Sequence, residues 1–130
     1  YVYSNIAYQC AKMKDAGERE KLRKWIFDTE YGQFGLPKPD LNIFLDVPVG
    51  FVEQKLENPR NGDDRDYLAG RSDIHEADIN FQKAVREVYL GRCKVDPDFI
   101  RIDCSDSEGN MLPPDMIATE VRTEIDKNWK

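Results

Sequence analysis

The seven residues from Leu41 to Val47 (LNIFLDV) constrain the fold of this chain more than any other stretch. The run is short and nearly all apolar, which suits a parallel strand covered on both faces, and Pro48 ends it. Such a strand calls for neighbours on both edges. A second candidate, Phe99-Ile100-Arg101-Ile102-Asp103, alternates apolar and polar residues as a less buried strand would.

Helical spacing accounts for most of the rest. Residues 1–14 read as a helix with Ile6, Ala7, Cys10, Ala11 and Met13 on one side, and Asp15-Ala16-Gly17 supplies its stop. A second helix is expected from Glu18 to about Thr29, with Leu22, Trp25 and Ile26 as its apolar stripe and Glu20 paired with Lys24. Gly32, Gly35, Pro37 and Pro39 then break regular structure. Val49, Val52 and Leu56 mark a short third helix closed by Asn58-Pro59. Residues 60–72 (RNGDDRDYLAGRS) are polar and read as a loop or flap. The strongest helical signal starts near Asp73, where Asp73 and Glu76 have capping-box spacing and Ile74, Ala77, Phe81, Val85, Val88 and Tyr89 recur at helical intervals. Pro113-Pro114 opens a last helix bearing Ile117, Val121 and Ile125.

The resulting order, α-α-β-α-flap-α-β-α, predicts an α/β fold with a doubly wound parallel sheet. Its two strands, about 41–47 and 99–103, accompany five helices. A two-strand sheet is marginal by itself. Residues 1–130 are therefore expected to form a single incomplete domain, whose remaining strands come from an upstream segment or from another chain.

Composition narrows the function. The net charge of -6 argues against nucleic acid or a membrane surface as partner, because phosphate backbones select basic faces. Converging arginines can still hold a phosphorylated small molecule on an acidic protein. Cys10, Cys93 and Cys104 are odd in number and form no CxxC pair, so neither a metal site nor a disulfide framework is expected. No apolar run reaches the roughly 18 residues of a membrane span, and no signal peptide is visible, so a cytoplasmic location is the expectation.

Several segments together carry a family likeness. Tyr1-Val2-Tyr3-Ser4-Asn5-Ile6-Ala7-Tyr8-Gln9 resembles the latter part of the thymidylate kinase signature, Asp-Arg-Tyr-x-x-Ser-x-x-Ala-Tyr-Gln. Pro37-Lys38-Pro39-Asp40 followed by LNIFLDVP is similar to the segment entering that family's fourth strand. Val85-Arg86-Glu87-Val88-Tyr89-Leu90 is similar to its Val-Arg-x-x-Tyr, and Ile102-Asp103-Cys104 with the following Ser/Asp loop resembles its final strand and adenine-side loop. The matches run in register over nearly the whole chain. They imply the C-terminal part of a P-loop kinase. No GxxxxGK[ST] phosphate loop occurs within the 130 residues.

The resemblance implies transfer of a phosphoryl group from ATP, with Mg²⁺, to dTMP, by a protein that is typically a homodimer. It makes residues 60–72 the lid, with Arg60, Arg65 and Arg71 as catalytic candidates; lid closure would bring guanidinium groups to phosphates and exclude water. Asp63, Asp64, Asp66 and Asp73 offer those arginines a plainer role as ion-pair partners. The resemblance places Ser4, Asn5, Tyr8 and Gln9, one helical face by their i, i+1, i+4, i+5 spacing, against dTMP. Asn5 or Gln9 would bond the thymine edge, and Tyr8 would lie under the sugar. Cys104 and Ser105 would meet adenine mainly through backbone groups. No metal ligand is assigned. His75, the only histidine, is expected at the surface without a catalytic role. Two other readings stand beside this one: a different nucleoside monophosphate kinase, or a non-catalytic dimerisation or binding module.

Overall fold

The structure is a computed structural model that describes residues 1–57 and 79–129. Along the chain run α1 (Val2–Cys10), α2 (Ala16–Phe27), a π-helical turn (Asp28–Gln33), β1 (Asn42–Asp46), α3 (Val49–Glu57), α4 (Ile79–Val95), β2 (Phe99–Asp103) and α5 (Pro114–Asn128). Among the described residues the two strands form one parallel pair, in register from Asn42 opposite Phe99 to Asp46 opposite Asp103. Alternation along a strand sends Phe44, Asp46, Phe99 and Arg101 to one face and Ile43, Leu45, Ile100 and Ile102 to the other.

Helices cover both faces. On the first, Tyr89 of α4 stacks on Phe44 with ring centres 4.8 Å apart, and Tyr3 of α1 meets Phe99 at 4.7 Å. On the second, Ile117 of α5 is buried with Ile102 and Cys104, and Ile43, Val47 and Val121 pack against them. The apolar side of α1 forms its own cluster, Val2, Ile6 and Cys10 with Ile26 of α2, flanked by Leu22, Phe27, Tyr31 and Val88. The parallel α/β layering expected from LNIFLDV is thus present, and the described residues hold two strands and five α-helices, as expected.

Local chemistry moved several boundaries. Helix α1 ends at Cys10 instead of residue 14, and Asp15 starts the next helix: its Oδ1 accepts the Glu18 N–H at 2.9 Å, a side-chain N-cap. Helix α2 ends at Phe27, close to the expected Thr29, but passes directly into the π turn, where the Phe34 N–H donates to the Thr29 carbonyl at 2.9 Å. Trp25 was expected in the buried stripe and is 64% exposed; the other two residues of that stripe, Leu22 and Ile26, face the core. Glu20 pairs with Arg23, and Lys24 with Asp28, in place of the expected Glu20–Lys24 pair. Among the described residues strand β1 has β2 on one edge only, and its Leu45 is 45% exposed. Asn58-Pro59, the segment 60–72, His75 and the capping residues Asp73 and Glu76 lie outside the described residues.

Candidate functional site

In open parallel sheets, ligands bind beyond the carboxyl ends of the strands, where loops diverge to opposite faces. At that end of β1 lies a cleft of about 170 Å³, lined by Tyr8 of α1, Phe44, Asp46 and Val47, Val49 and Val52 of α3, and Val85, Arg86 and Tyr89 of α4. Its walls are aromatic and aliphatic and its floor is ionic. The volume falls below the roughly 300–1,000 Å³ of a drug-sized pocket and suits one planar ring. A larger cleft, about 700 Å³, lies at the opposite end of the strands between Tyr3, Phe27, Tyr31, Lys38, Arg92 and Asp96. The smaller is the better candidate, because position in the fold counts for more than size.

The floor is built around Asp46. Its side chain is only 2% exposed, and a carboxylate so buried must be paired and hydrogen-bonded. Arg86 grips it side-on, Nε to Oδ1 at 2.6 Å and Nη2 to Oδ2 at 2.8 Å. Arg101 of β2 adds Nε and Nη2 to Oδ2 at 2.7 and 2.6 Å and reaches Asp103 at 3.3 Å. The Asp46 carboxylate beside Arg86 pushes that guanidinium's pKa further up, so it stays charged at any working pH. Strand β1, strand β2 and helix α4 are thereby tied together at the floor of the cleft.

Of the four α1 residues expected against a nucleotide, Tyr8 lines the cleft, its ring 5.9 Å from Phe81. Ser4 is exposed, and its Oγ accepts the Tyr89 hydroxyl at 3.1 Å, so it touches a cleft wall without lining the cleft. Burial pushes the Tyr89 phenol up, and the Ser4 hydroxyl draws it partly back. Asn5 is half-buried one turn from Tyr8, and Gln9 is exposed, its Oε1 accepting from Lys12 at 3.3 Å. The helical face is real, but only Tyr8 reaches the cleft.

Cys104 is fully buried. Its N–H donates to the Asp46 carbonyl at 3.0 Å, and its carbonyl accepts from Leu112 at 2.8 Å. Both backbone groups of Cys104 are thus engaged within the fold. Ser105 is half-buried, with N–H and hydroxyl both donating to Asp103. The loop beyond closes on Asp106, which accepts from the Glu108 and Asn110 N–H groups, and Gly109 takes φ +83° there. Arg60, Arg65 and Arg71 lie outside the described residues. Burial pushes all three thiols up, as expected of cysteines that pack and do not react.

Phe44, Asp46, Arg86, Tyr89 and Arg101 escaped the sequence reading as site residues. Two signals were available: Arg86 and Tyr89 hold the named positions of the Val-Arg-x-x-Tyr segment, and Asp46 is the lone carboxylate in an apolar run, where a charge demands a partner.

No family model matches the chain, and no solved structure matches it significantly. Curated relatives do. The chain is 34% identical over 89 residues to the thymidylate kinase of Mycobacterium tuberculosis, covering 68% of this chain and 39% of that protein. It is 33% identical over 92 residues to a probable thymidylate kinase of Pyrobaculum aerophilum, covering 71% of this chain and 37% of that one. The chain thus spans less than two fifths of the length of these relatives. Over 68–71% of its residues the chain is similar to these thymidylate kinases, at 33–34% identity.

Proposed function

We propose that this chain is the acceptor-recognition portion of a P-loop-type thymidylate kinase, which moves the γ-phosphoryl group of ATP onto dTMP and yields ADP and dTDP. The observation that carries the reading is the position of Tyr8. It belongs to the segment that resembles the family signature, and it lines the cleft at the carboxyl end of β1, where the fold class binds ligands. The nucleoside stands between Tyr8 and the stacked Phe44–Tyr89 pair, with Ser4 and Asn5 at the rim; Gln9 reads the base only if its amide leaves Lys12. Arg60, Arg65 and Arg71 act as the lid, and Ser105 borders the adenine side.

Catalysis of this kind depends on positioning and on neutralising charge over the transferring oxygens. ATP and Mg²⁺ are the cofactors of the reaction. Among the described residues no group of three or more His, Cys, Asp or Glu side chains could hold a metal ion. No helix of the described residues is long and apolar enough to cross a membrane. Pairing in a homodimer and a location in the cytoplasm complete the reading.

The test compares dTMP, dUMP, CMP and AMP as ligands of this chain by isothermal titration calorimetry, with a coupled ADP-release assay alongside. Preferential binding of dTMP without ADP release is expected. Equal affinity for all four, or turnover by this chain alone, would refute it.

A further inference from the structure

The ion cluster at the base of the cleft has more charge than the fold needs. One buried carboxylate, Asp46, is shared by two guanidinium groups. A guanidinium carries five N–H donors in a planar fork, and a side-on grip through Nε and Nη2 leaves the end-on edge, Nη1 with the second Nη2 hydrogen, for another acceptor. Arg86 is gripped in this way. Its side chain is 33% exposed and lines the cleft, and its Nη1 stands 3.5 Å from the Glu87 carboxylate. Glu87 is itself 72% exposed, so a second anion can displace it at little cost. Arg101, the other partner of Asp46, is anchored on the far side to Asp103.

We infer that Asp46 is a positioning residue: its buried carboxylate fixes Arg86 side-on, so that the outer edge of the guanidinium stands in the cleft as a contact for the phosphate of a nucleoside monophosphate. The inference rests on the proposed acceptor site and adds to it a specific anion contact and the group that aims it. The geometry explains why an acidic residue ends an otherwise apolar strand. A lysine would not serve, because a point charge lacks the two-edged fork that can hold Asp46 and an incoming oxyanion together. Tyr8, Phe44 and Tyr89 take the ring, and Arg86 takes the charged end.

The test measures dissociation constants of dTMP and of thymidine for the whole 130-residue chain and for Arg86→Lys and Asp46→Asn. Since a charged hydrogen bond contributes about 1.5 kcal/mol or more, both variants are expected to bind dTMP about tenfold more weakly. Thymidine affinity is expected to be unchanged. If Asp46→Asn unfolds the chain, Arg86→Lys, which keeps the charge and most of the volume, carries the comparison. Equal weakening of both ligands would show that the cluster only supports the fold, and unchanged dTMP affinity would remove Arg86 from the site; either overturns the inference while the acceptor site survives. Absence of dTMP binding by the unaltered chain would overturn the acceptor site and this inference with it.

Discussion

Shortening Ile102 to alanine tests the layering on which the cleft depends. Ile102 is 1% exposed on β2, opposite Leu45 in the ladder and beneath Ile117 of α5, with Cys104 beside it. Its neighbours belong to a hydrogen-bonded strand pair and to a helix, so they cannot collapse far into the space left behind. Ile→Ala changes in such sites cost about 2–5 kcal/mol, and about 3 kcal/mol is expected here. With a urea m-value of about 1.5 kcal/mol/M, the midpoint falls by about 2 M with m unchanged. Ile125→Ala, two turns further along the same helix where the side chain is 39% exposed, is the control and should cost under about 1 kcal/mol. Comparable losses from the two substitutions in urea titrations followed by circular dichroism would refute the packing of α5 on the sheet.

Three smaller predictions follow from named contacts. Asp15→Ala removes the cap on the Glu18 N–H and should lower stability by about 1 kcal/mol in the same urea titration. Lys21→Ala breaks an exposed pair with Glu18 and should change stability by less than about 0.5 kcal/mol, even at low salt. The Tyr3 phenol is raised above its ordinary 10.0, first by burial and then by the hydrogen bond it donates to Asp96. The neutral form is the one the fold favours, so this contribution is whole below pH 10 and is lost as pH rises above it. Tyr3→Phe should therefore flatten part of the alkaline loss of stability; Tyr31 and Tyr89, also raised by burial, keep a residual slope.

The sequence announced the strands better than the helix ends. LNIFLDV and FIRID were legible because an apolar run and an alternating run leave few other structures open. The stop of α1 was misread because Asp15-Ala16-Gly17 carries a helix-ending glycine and a helix-starting aspartate at once, and the hydrogen bond to Glu18 decides between them. The π turn after Phe27 has no periodic signature. Trp25 fits a helical stripe by spacing, but α2 turns Leu22, Ile26 and Phe27 inward and leaves Trp25 outside the cluster. The site was half legible. Tyr8 could be placed from its segment, whereas Arg86, Arg101 and Asp46 lie 40 and 55 residues apart in sequence and meet only through the register of β1 with β2 and the packing of α4.

A titration of the uniformly ¹⁵N- and ¹³C-labelled chain with dTMP, followed residue by residue by NMR, bears most directly on the claim that α1 and the carboxyl end of β1 form an acceptor site. Saturable shifts are expected at Tyr8, Phe44, Arg86 and Tyr89. Shifts confined to Tyr31, Lys38 and Arg92 at the opposite end of the strands, or no saturable shift at all, would contradict it.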